Sequence, residues 1–159
     1  MGKLTRDLYR PYLDVNQGDG DPEWVRIDKS TVFALEFNPE EETVGYIDSS
    51  NDTTEVSSYA PTMEQEIILD SDNEMYQFIE PFCMEMPTGS SAVVPVLLTE
   101  PDAAGGETYT GRVWYDATIT PSSLDTVEGK LVFTLNLNGT QTVGTATFDD
   151  DGGVTFTAA

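Results

Sequence analysis

The side chains with the most obvious capacity for catalysis are carboxylates spaced two residues apart. Glu64 and Glu66 form one such pair, and Glu40 and Glu42 form another. Two carboxylates that flank a glycosidic bond can act as acid and base in its hydrolysis. Asp and Glu make up 29 of the 159 residues, however, so pairs at this spacing arise by chance, and a glycosidase of this size would carry more aromatic residues around its cleft. We therefore predict that the chain is not an enzyme and has no catalytic residues.

Other reactive or ligating groups are scarce. The chain has no histidine, which excludes catalytic triads and metal sites built on imidazole. The single cysteine, Cys83, cannot form an intrachain disulfide and is expected to pack as a small buried hydrophobe. Residues 16–19 lack the alternating acids and closing glutamate of a calcium loop, and residues 18–20 lack the strand and helix that flank a phosphate-binding loop. We expect no metal and no cofactor.

The negative charge is concentrated in one part of the chain. The formal net charge is −22; residues 30–111 contain seventeen acids and no base, whereas residues 1–29 contain five bases and six acids. Such a chain cannot bind nucleic acid through a basic patch or attach electrostatically to an anionic membrane. Adaptation to high salt and simple solubility would both explain acidity, but a salt-adapted protein would spread its acids over every exposed face. The uneven distribution favours a surface that repels another polyanion.

The length is that of one domain, and 16 aromatic residues are enough to build a core. We predict a near-neutral, irregular N-terminal arm over residues 1–22 and a single β-rich domain over residues 23–159. Residues 1–12 have no apolar stretch typical of a signal peptide. No run of 18 apolar residues is present to span a bilayer. We therefore expect a protein without a membrane anchor that is made in the cytoplasm.

Alternation of apolar and polar residues predicts strands in the first half of the domain. Residues 31–38 alternate clearly, and residues 41–48 are the expected hairpin partner. Residues 49–59 are polar except for Val56 and the aromatic ring of Tyr59, so we predict a long exposed loop, an element that usually has a binding role. Residues 61–69 alternate again and predict another strand.

One helix is predicted, over residues 72–80. Its apolar side chains recur with helical spacing and form one stripe: Met75, Phe78, Ile79 and Phe82. Asp70 or Asp72 is the expected N-cap, and Pro81 is expected to end or kink the helix.

The second half is predicted to consist of strands. They cover residues 92–98, 108–121, 127–138, 141–148 and 154–157. Pro95 should place the first of them at a sheet edge or at a bulge. Residues 102–107 form a Gly-rich hairpin tip, and Asn138-Gly139 should make a tight hairpin. Eight or nine strands and one short helix predict a mainly β fold: a β-sandwich or β-barrel with the helix packed on one side.

The order of several local patterns carries a resemblance to a known family. These patterns are EWVRID at 23–28, residues 31–48 with FNPEEETVGYID, NDTTEVSSYA at 51–60, the strand at 63–69, the helix at 72–80 and the closing strands at 130–147. Together they resemble the major tail tube proteins of long, non-contractile-tailed (siphovirus-type) bacteriophages, particularly those of Gram-positive hosts. The likeness covers about residues 23–159 and is one of order and local pattern. Residues 82–89 lack the basic residues that often follow the helix in that family.

The resemblance implies a structural virion protein of the phage tail tube fold. Six subunits would form a ring, rings would stack into a tube, and each subunit would add strands to a continuous inner β-barrel through which DNA passes during ejection. An acidic lumen would repel DNA phosphates, so DNA would pass without tight binding. The implied location is the virion tail. The implied partners are further copies of the chain, a tape measure protein in the lumen, and tail terminator and distal tail proteins at the ends.

Candidate residues follow for two surfaces of such a tube. The lumen-lining candidates are Glu36, Glu64 and Glu66, because alternation puts each on an outer strand face. The resemblance implies that the arm and the polar loop reach neighbouring rings. The inter-ring candidates are Arg6, Arg10, Asn51, Asp52, Thr53 and Glu55.

Two other functions remain open. An immunoglobulin-like β-sandwich that serves as a binding module, in an adhesin or a virion decoration protein, would give a similar strand-rich chain with one cysteine. Such a module would stay monomeric, whereas a tube subunit would polymerise. A tube protein of a contractile injection system or a gene-transfer particle would also polymerise.

Overall fold

Strands dominate the computed structural model, which describes residues 9–27, 34–45, 47, 50–101, 109–148 and 154–158. In chain order the strands are β1 (Arg10–Asp14), β2 (Trp24–Arg26), β3 (Ala34–Glu36), β4 (Pro39–Val44), β5 (Thr53–Tyr59), β6 (Thr62–Ile68), β7 (Val96–Pro101), β8 (Tyr109–Trp114), β9 (Thr118–Asp125), β10 (Lys130–Asn136), β11 (Thr142–Phe148) and β12 (Val154–Ala158). The helix α1 (Glu74–Met84) follows β6, and a short 3₁₀ helix, Gly89–Ala92, precedes β7. The predicted mainly β fold with one α-helix is confirmed.

Ten of these strands form two antiparallel sheets that share one core. The larger sheet has the order β12-β11-β8-β7-β1-β2, and the smaller sheet has the order β3-β6-β10-β9. The core contains side chains from both sheets and from α1, among them Leu13, Val96, Met63, Phe133, Met75 and Ile79. Burial of each large apolar side chain contributes roughly 1.5–3 kcal/mol, so this shared core holds the sandwich together.

Strand β1 lies inside the larger sheet, between β7 and β2. Tyr12 is 2% exposed and Leu13 is fully buried, one on each face of the sheet. The prediction of an irregular arm over residues 1–22 is therefore wrong for residues 10–14, and residues 1–8 lie outside the described residues. Five residues are too few to show a reliable alternation, and the burial of β1 is imposed by the strands on either side of it.

Strand β3 pairs with β6, while β4 pairs with β5 in a separate two-stranded sheet. The predicted hairpin between residues 31–38 and 41–48 is therefore wrong, and so is the predicted loop over residues 49–59, most of which form β5. The chain leaves the smaller sheet at Asn38, whose φ of 46° lies in the left-handed region. The Asn38 side-chain amide donates to the Ala60 carbonyl at 3.0 Å and to Thr62 Oγ1 at 3.1 Å, joining the two points where the hairpin departs and returns.

Two further expectations fail because consecutive strands belong to different sheets, and a third, the edge strand at Pro95, fails because β7 has a neighbour on each side. Residues 108–121 do not form one strand, since the chain turns at residues 115–116 and passes from β8 in the larger sheet to β9 in the smaller one. Asn138-Gly139 does not close a hairpin, because β10 and β11 also lie in different sheets. Strand β7 is interior, and Pro95 precedes it, so the missing N–H leaves no gap in its pairing. The predicted tip over 102–107 lies outside the described residues.

The helix was predicted nearly in place but with the wrong cap. Asn73 Oδ1 accepts the backbone N–H groups of Met75 at 2.8 Å and Tyr76 at 3.5 Å, whereas Asp70 and Asp72 lie before the cap. Pro81 lies inside the helix, which continues to Met84.

The predicted apolar stripe of α1 faces the core. Met75, Ile79 and Phe82 are buried, and Phe78 packs against them. Cys83 is 7% exposed, which confirms the expectation of a buried thiol. No helix in the described part of the chain is long and apolar enough to cross a membrane.

Candidate functional site

Glu36, Glu64 and Glu66 lie on the outer face of the smaller sheet, on two neighbouring strands. The pairing of β3 with β6 sets Glu36 opposite Thr62 and Ala34 opposite Glu64. Side chains two residues apart in a strand share a face, so all three glutamates project to the same side. Glu36 and Glu64 are exposed, and Glu66 is half-buried. We call this surface the acidic face; the structure brings its three acids together, as alternation predicted.

Uncharged hydrogen-bonding groups cover much of the rest of the acidic face, beside the apolar side chains of Ala34, Ile68 and Val132. These hydrogen-bonding groups belong to β6, β10 and β9: Thr62, Thr134, Asn136, Thr118 and Thr120. The Asn136 amide donates to Thr120 Oγ1 at 2.8 Å and to Thr118 Oγ1 at 3.3 Å, which holds these side chains against one another. Groups of this kind are neutral and do not attract phosphate as a cation would.

Lys130 brings one positive charge to the acidic face, and it is held by carboxylates. Its ammonium lies 2.7 Å from Glu66 Oε1 and 3.1 Å from Glu128 Oε2. The hydrogen bonds to Glu66 and then to Glu128 hold the pKa of Lys130 well above its usual range. The negative charge of Glu66 is therefore balanced by Lys130, and the exposed negative charge of the face comes mainly from Glu36 and Glu64. Sequence reasoning missed this pair, because Glu66 and Lys130 meet only through the pairing of β6 with β10.

The two-stranded sheet carries most of the predicted inter-ring residues. We call β4, β5 and the residues between them the acidic hairpin. Both strands are exposed along their length, apart from half-buried Val44. Asn51 and Asp52 lie in the exposed connection, and Thr53 and Glu55 lie on β5. These four residues are exposed, as predicted, although they belong to a pair of strands and not to a loop.

The acidic hairpin places like charges against each other. Glu40, Glu41 and Glu42 follow one another on β4, and Glu42 lies directly opposite Glu55. Like charges in directly opposed positions destabilise a strand pair. The hydroxyl groups of Thr43 and Thr54, 3.1 Å apart, link the strands next to this pair.

Arg10 packs on aromatic side chains of its own chain. Its guanidinium carbon lies 4.5 Å from the centre of the Phe148 ring and 5.6 Å from that of Tyr109. These three residues lie on the outer face of the larger sheet, on the side away from the smaller sheet. Arg6, the other cationic inter-ring candidate, lies outside the described residues. A contact of either arginine with a neighbouring ring stays a prediction.

A cleft of about 1010 Å³ opens where the acidic hairpin leaves the sandwich. Its apolar walls include Phe37, Val56, Tyr59, Leu98 and Trp114. On its polar side, the Arg112 guanidinium donates to Glu100 Oε1 and to Gln141 Oε1, both at 2.7 Å. Sequence reasoning did not find this cleft, because its walls come from segments far apart in the chain.

The turn after β1 is organised by one carboxylate. The Asp14 oxygens accept the backbone N–H groups of Asn16 at 2.9 Å and of Gly18 and Glu23 at 3.0 Å. Asp14 is only 2% exposed, so its role is to close this turn. Among the residues that the structure describes, no group of three acids or cysteines is placed to hold a metal ion.

Comparisons with known proteins give only distant structural likenesses. No family model and no curated protein matches the chain. It is similar in structure to a chain of the anti-feeding prophage baseplate (8% identity, TM-score 0.47, 90% of this chain and 95% of that chain covered). It is also similar to the sheath/tube terminator of an extracellular contractile injection system (11% identity, TM-score 0.49, 91% of this chain and 97% of that chain covered). A third similar structure is the tube-terminating cap of the anti-feeding prophage (16% identity, TM-score 0.45, 100% of this chain and 93% of that chain covered). At such identities and TM-scores the likeness establishes neither a family nor a function.

Proposed function

We propose that this chain is a structural protein of a tail tube of the siphovirus type. Copies of it assemble into stacked hexameric rings, and the acidic face lines a channel through which DNA passes. The observation that carries the proposal is the composition of that face. Exposed Glu36 and Glu64 lie among uncharged side chains, many of them with hydroxyl or amide groups, and Lys130 is held by Glu66 and Glu128. A surface of this kind repels phosphates and offers them no cation to bind.

The acidic hairpin supports self-assembly. A two-stranded sheet alone is marginally stable in water, and this one is exposed on both strands and has like charges opposed at Glu42 and Glu55. An element of this kind is stabilised when it packs on another molecule. In the proposed tube that molecule is a further copy of the chain, and the tape measure, terminator and distal tail proteins are the additional partners.

The first test is microscopy of the purified protein at high concentration by negative stain. We expect rings or hollow tubes, with six-fold symmetry in end views. Isolated globules at every concentration would contradict the proposal. Tubes enclosed by a sheath in the native particle would assign the chain to a contractile system instead.

The second test concerns the acidic face itself. We expect the double variant Glu36→Lys/Glu64→Lys to assemble like the wild type but to slow or block DNA ejection from particles that carry it, because its channel would bind phosphates. The related pair Glu64→Lys/Glu66→Lys should act in the same direction and should also break the ion pair with Lys130. Glu85→Lys, at an exposed position beyond α1, is the control with the same type of charge change. Normal ejection with verified assembly of the face variants would refute the lumenal assignment.

The second candidate function is a binding module, as an immunoglobulin-like domain of an adhesin or a decoration protein. The observation that favours it is the cleft, whose aromatic walls and Arg112–Glu100 pair form a concave surface of the size of ligand sites. A monomer that retains a ligand through Trp114 and Arg112 would support this candidate over the tube.

A further inference from the structure

We propose that Asn138 is a site of spontaneous covalent modification. Its side-chain amide is lost by attack of the Gly139 backbone nitrogen, which leaves aspartate or isoaspartate at position 138. The inference goes beyond the proposed function and does not depend on assembly of the chain.

The sequence around Asn138 favours this reaction over the same reaction at the other asparagines. Of the six asparagines in the chain, only Asn138 is followed by glycine. The reacting nitrogen must approach the side-chain carbonyl carbon of the preceding asparagine, and glycine has no Cβ to hinder this approach or to restrict the backbone. At Asn38 the reaction is blocked, because the next residue is Pro39, which has no N–H.

The structure leaves the Asn138-Gly139 dipeptide accessible. Residues 138–141 are exposed and connect β10, in the smaller sheet, to β11, in the larger sheet. The Gly139 N–H makes no hydrogen bond within the described part of the chain, so its proton is open to base in the solvent. Gly139 has a φ of 77°, and a Cβ there would lie 3.1 Å from Asp116 Oδ2, so this position requires glycine.

The reaction consumes one molecule of water. Hydroxide takes the proton of the Gly139 nitrogen, which forms a bond to Asn138 Cγ. The Cγ–Nδ2 bond breaks, and the amide group leaves as ammonia with a proton from water, which restores the hydroxide. Water then opens the cyclic imide. Cleavage of the new bond at Cγ gives aspartate, and cleavage at the backbone carbonyl carbon gives isoaspartate.

The modification removes a contact that the amide makes in the folded chain. Asn138 Nδ2 donates to the Asp116 carbonyl oxygen and to Thr118 Oγ1, both at 3.2 Å. Asp116 and Thr118 lie where the chain passes from β8 in the larger sheet to β9 in the smaller one. Asn138 therefore joins two crossings between the sheets, the one from β8 to β9 and the one from β10 to β11. A carboxylate cannot donate a hydrogen bond, so its formation loosens this junction.

The first experiment follows the amide. The purified full chain is incubated at neutral and alkaline pH, with and without urea, and its peptides are analysed by mass spectrometry. Without urea, we expect Asn138 to convert about tenfold or more faster than Asn51, which is also exposed but precedes Asp52, because glycine lowers the barrier to attack. The rate should rise with pH, and reaction in heavy-oxygen water should place one heavy oxygen in the product.

Two comparisons make this experiment decisive. Asn138→Gln keeps an amide but moves its carbonyl carbon one bond further from the Gly139 nitrogen, so it should convert far more slowly than the wild type. Urea should speed the conversion of Asn138, because it releases Nδ2 from its two acceptors. Conversion of Asn138 that is no faster than that of Asn51 in the folded protein would overturn the proposal.

The second experiment measures the junction. Asn138→Asp carries the charge of the product, and Thr140→Asp adds the same charge at a neighbouring exposed position without removing the two hydrogen bonds. We expect Asn138→Asp to lower the Tm by roughly 2–8 °C and Thr140→Asp to leave it nearly unchanged. Equal Tm values for the two variants would show that the amide does not join the crossings and would overturn this consequence of the modification.

Discussion

Asp14 shows how much one buried carboxylate can organise. Asp14 is the last residue of β1, and its carboxylate accepts three backbone N–H groups from the turn that follows. This turn connects β1 to β2, which pair with each other. An ionised acceptor forms stronger hydrogen bonds than a neutral one. The carboxylate thus satisfies backbone donors of the turn that would otherwise lack a partner in this segment.

We expect Asp14→Ala to lower the free energy of unfolding by about 3 kcal/mol, because it removes three hydrogen bonds to a charged, buried group. Asp19→Ala, at an exposed position in the same turn, should change it by less than about 0.5 kcal/mol. Urea denaturation of the monomer measures both. Equal effects of the two variants would show that Asp14 does not hold the turn.

Cys83 should make the stability of the monomer depend on alkaline pH. Burial, with a smaller contribution from the charge of Glu80, raises the pKa of its thiol from 9.0 to about 11. The folded state therefore holds this proton more tightly than the unfolded state. The resulting stabilisation is complete below pH 9 and is lost as the pH rises towards about 11. The unfolding free energy of the wild type should fall more steeply over this range than that of Cys83→Ala, and parallel curves would contradict the assignment.

The acidic hairpin is the element that sequence reasoning described least well. Alternation in residues 41–48 indicates a strand but does not identify its partner, and the polarity of residues 49–59 predicts a loop. The positive φ of Asn38 directs the chain out of the smaller sheet, and β4 then finds β5 as its partner. Strand β5 is polar because both of its faces are exposed in this molecule.

We expect the backbone amides of β5 to exchange with solvent rapidly in the monomer and slowly in the assembled protein. Glu55→Gln should slow their exchange in the monomer, because it removes a repulsion that costs about 0.2–1 kcal/mol. Hydrogen exchange read by mass spectrometry measures this, with Glu85→Gln as the control. If the β5 amides of the monomer exchange as slowly as the amides of the two sheets that share the core, the hairpin is stable without a partner.

At the scale of the whole molecule, the net charge of −22 opposes folding and, in the proposed tube, also opposes the association of copies. The two sheets and α1 share one apolar core, while the acids lie on surfaces such as the acidic face and the acidic hairpin. Repulsion between them destabilises the compact monomer.

Added salt should therefore favour both processes. We expect the Tm of the monomer to rise by a few degrees between low and high ionic strength, because screening weakens repulsion among the acids. Assembly of the copies should strengthen over the same range, because screening also weakens the repulsion between them. Calorimetry on the dilute monomer and light scattering on the concentrated protein measure the two effects. A Tm that falls with salt would show that attractive pairs dominate the folded state.

The amino-acid sequence by itself determined which residues share a face: the outward direction of Glu36, Glu64 and Glu66, the buried stripe of α1 and the alternation of β10 all follow from local periodicity. The tertiary structure decided which strands pair, that residues 10–14 lie inside a sheet, that Lys130 offsets Glu66, and where the cleft opens. The reason is physical. The side chains on each face of a strand follow from its own period of two residues. Its partner strands depend on the total burial and hydrogen bonding of the chain. Segments more than sixty residues apart contribute to this total together, as β6 and β10 do.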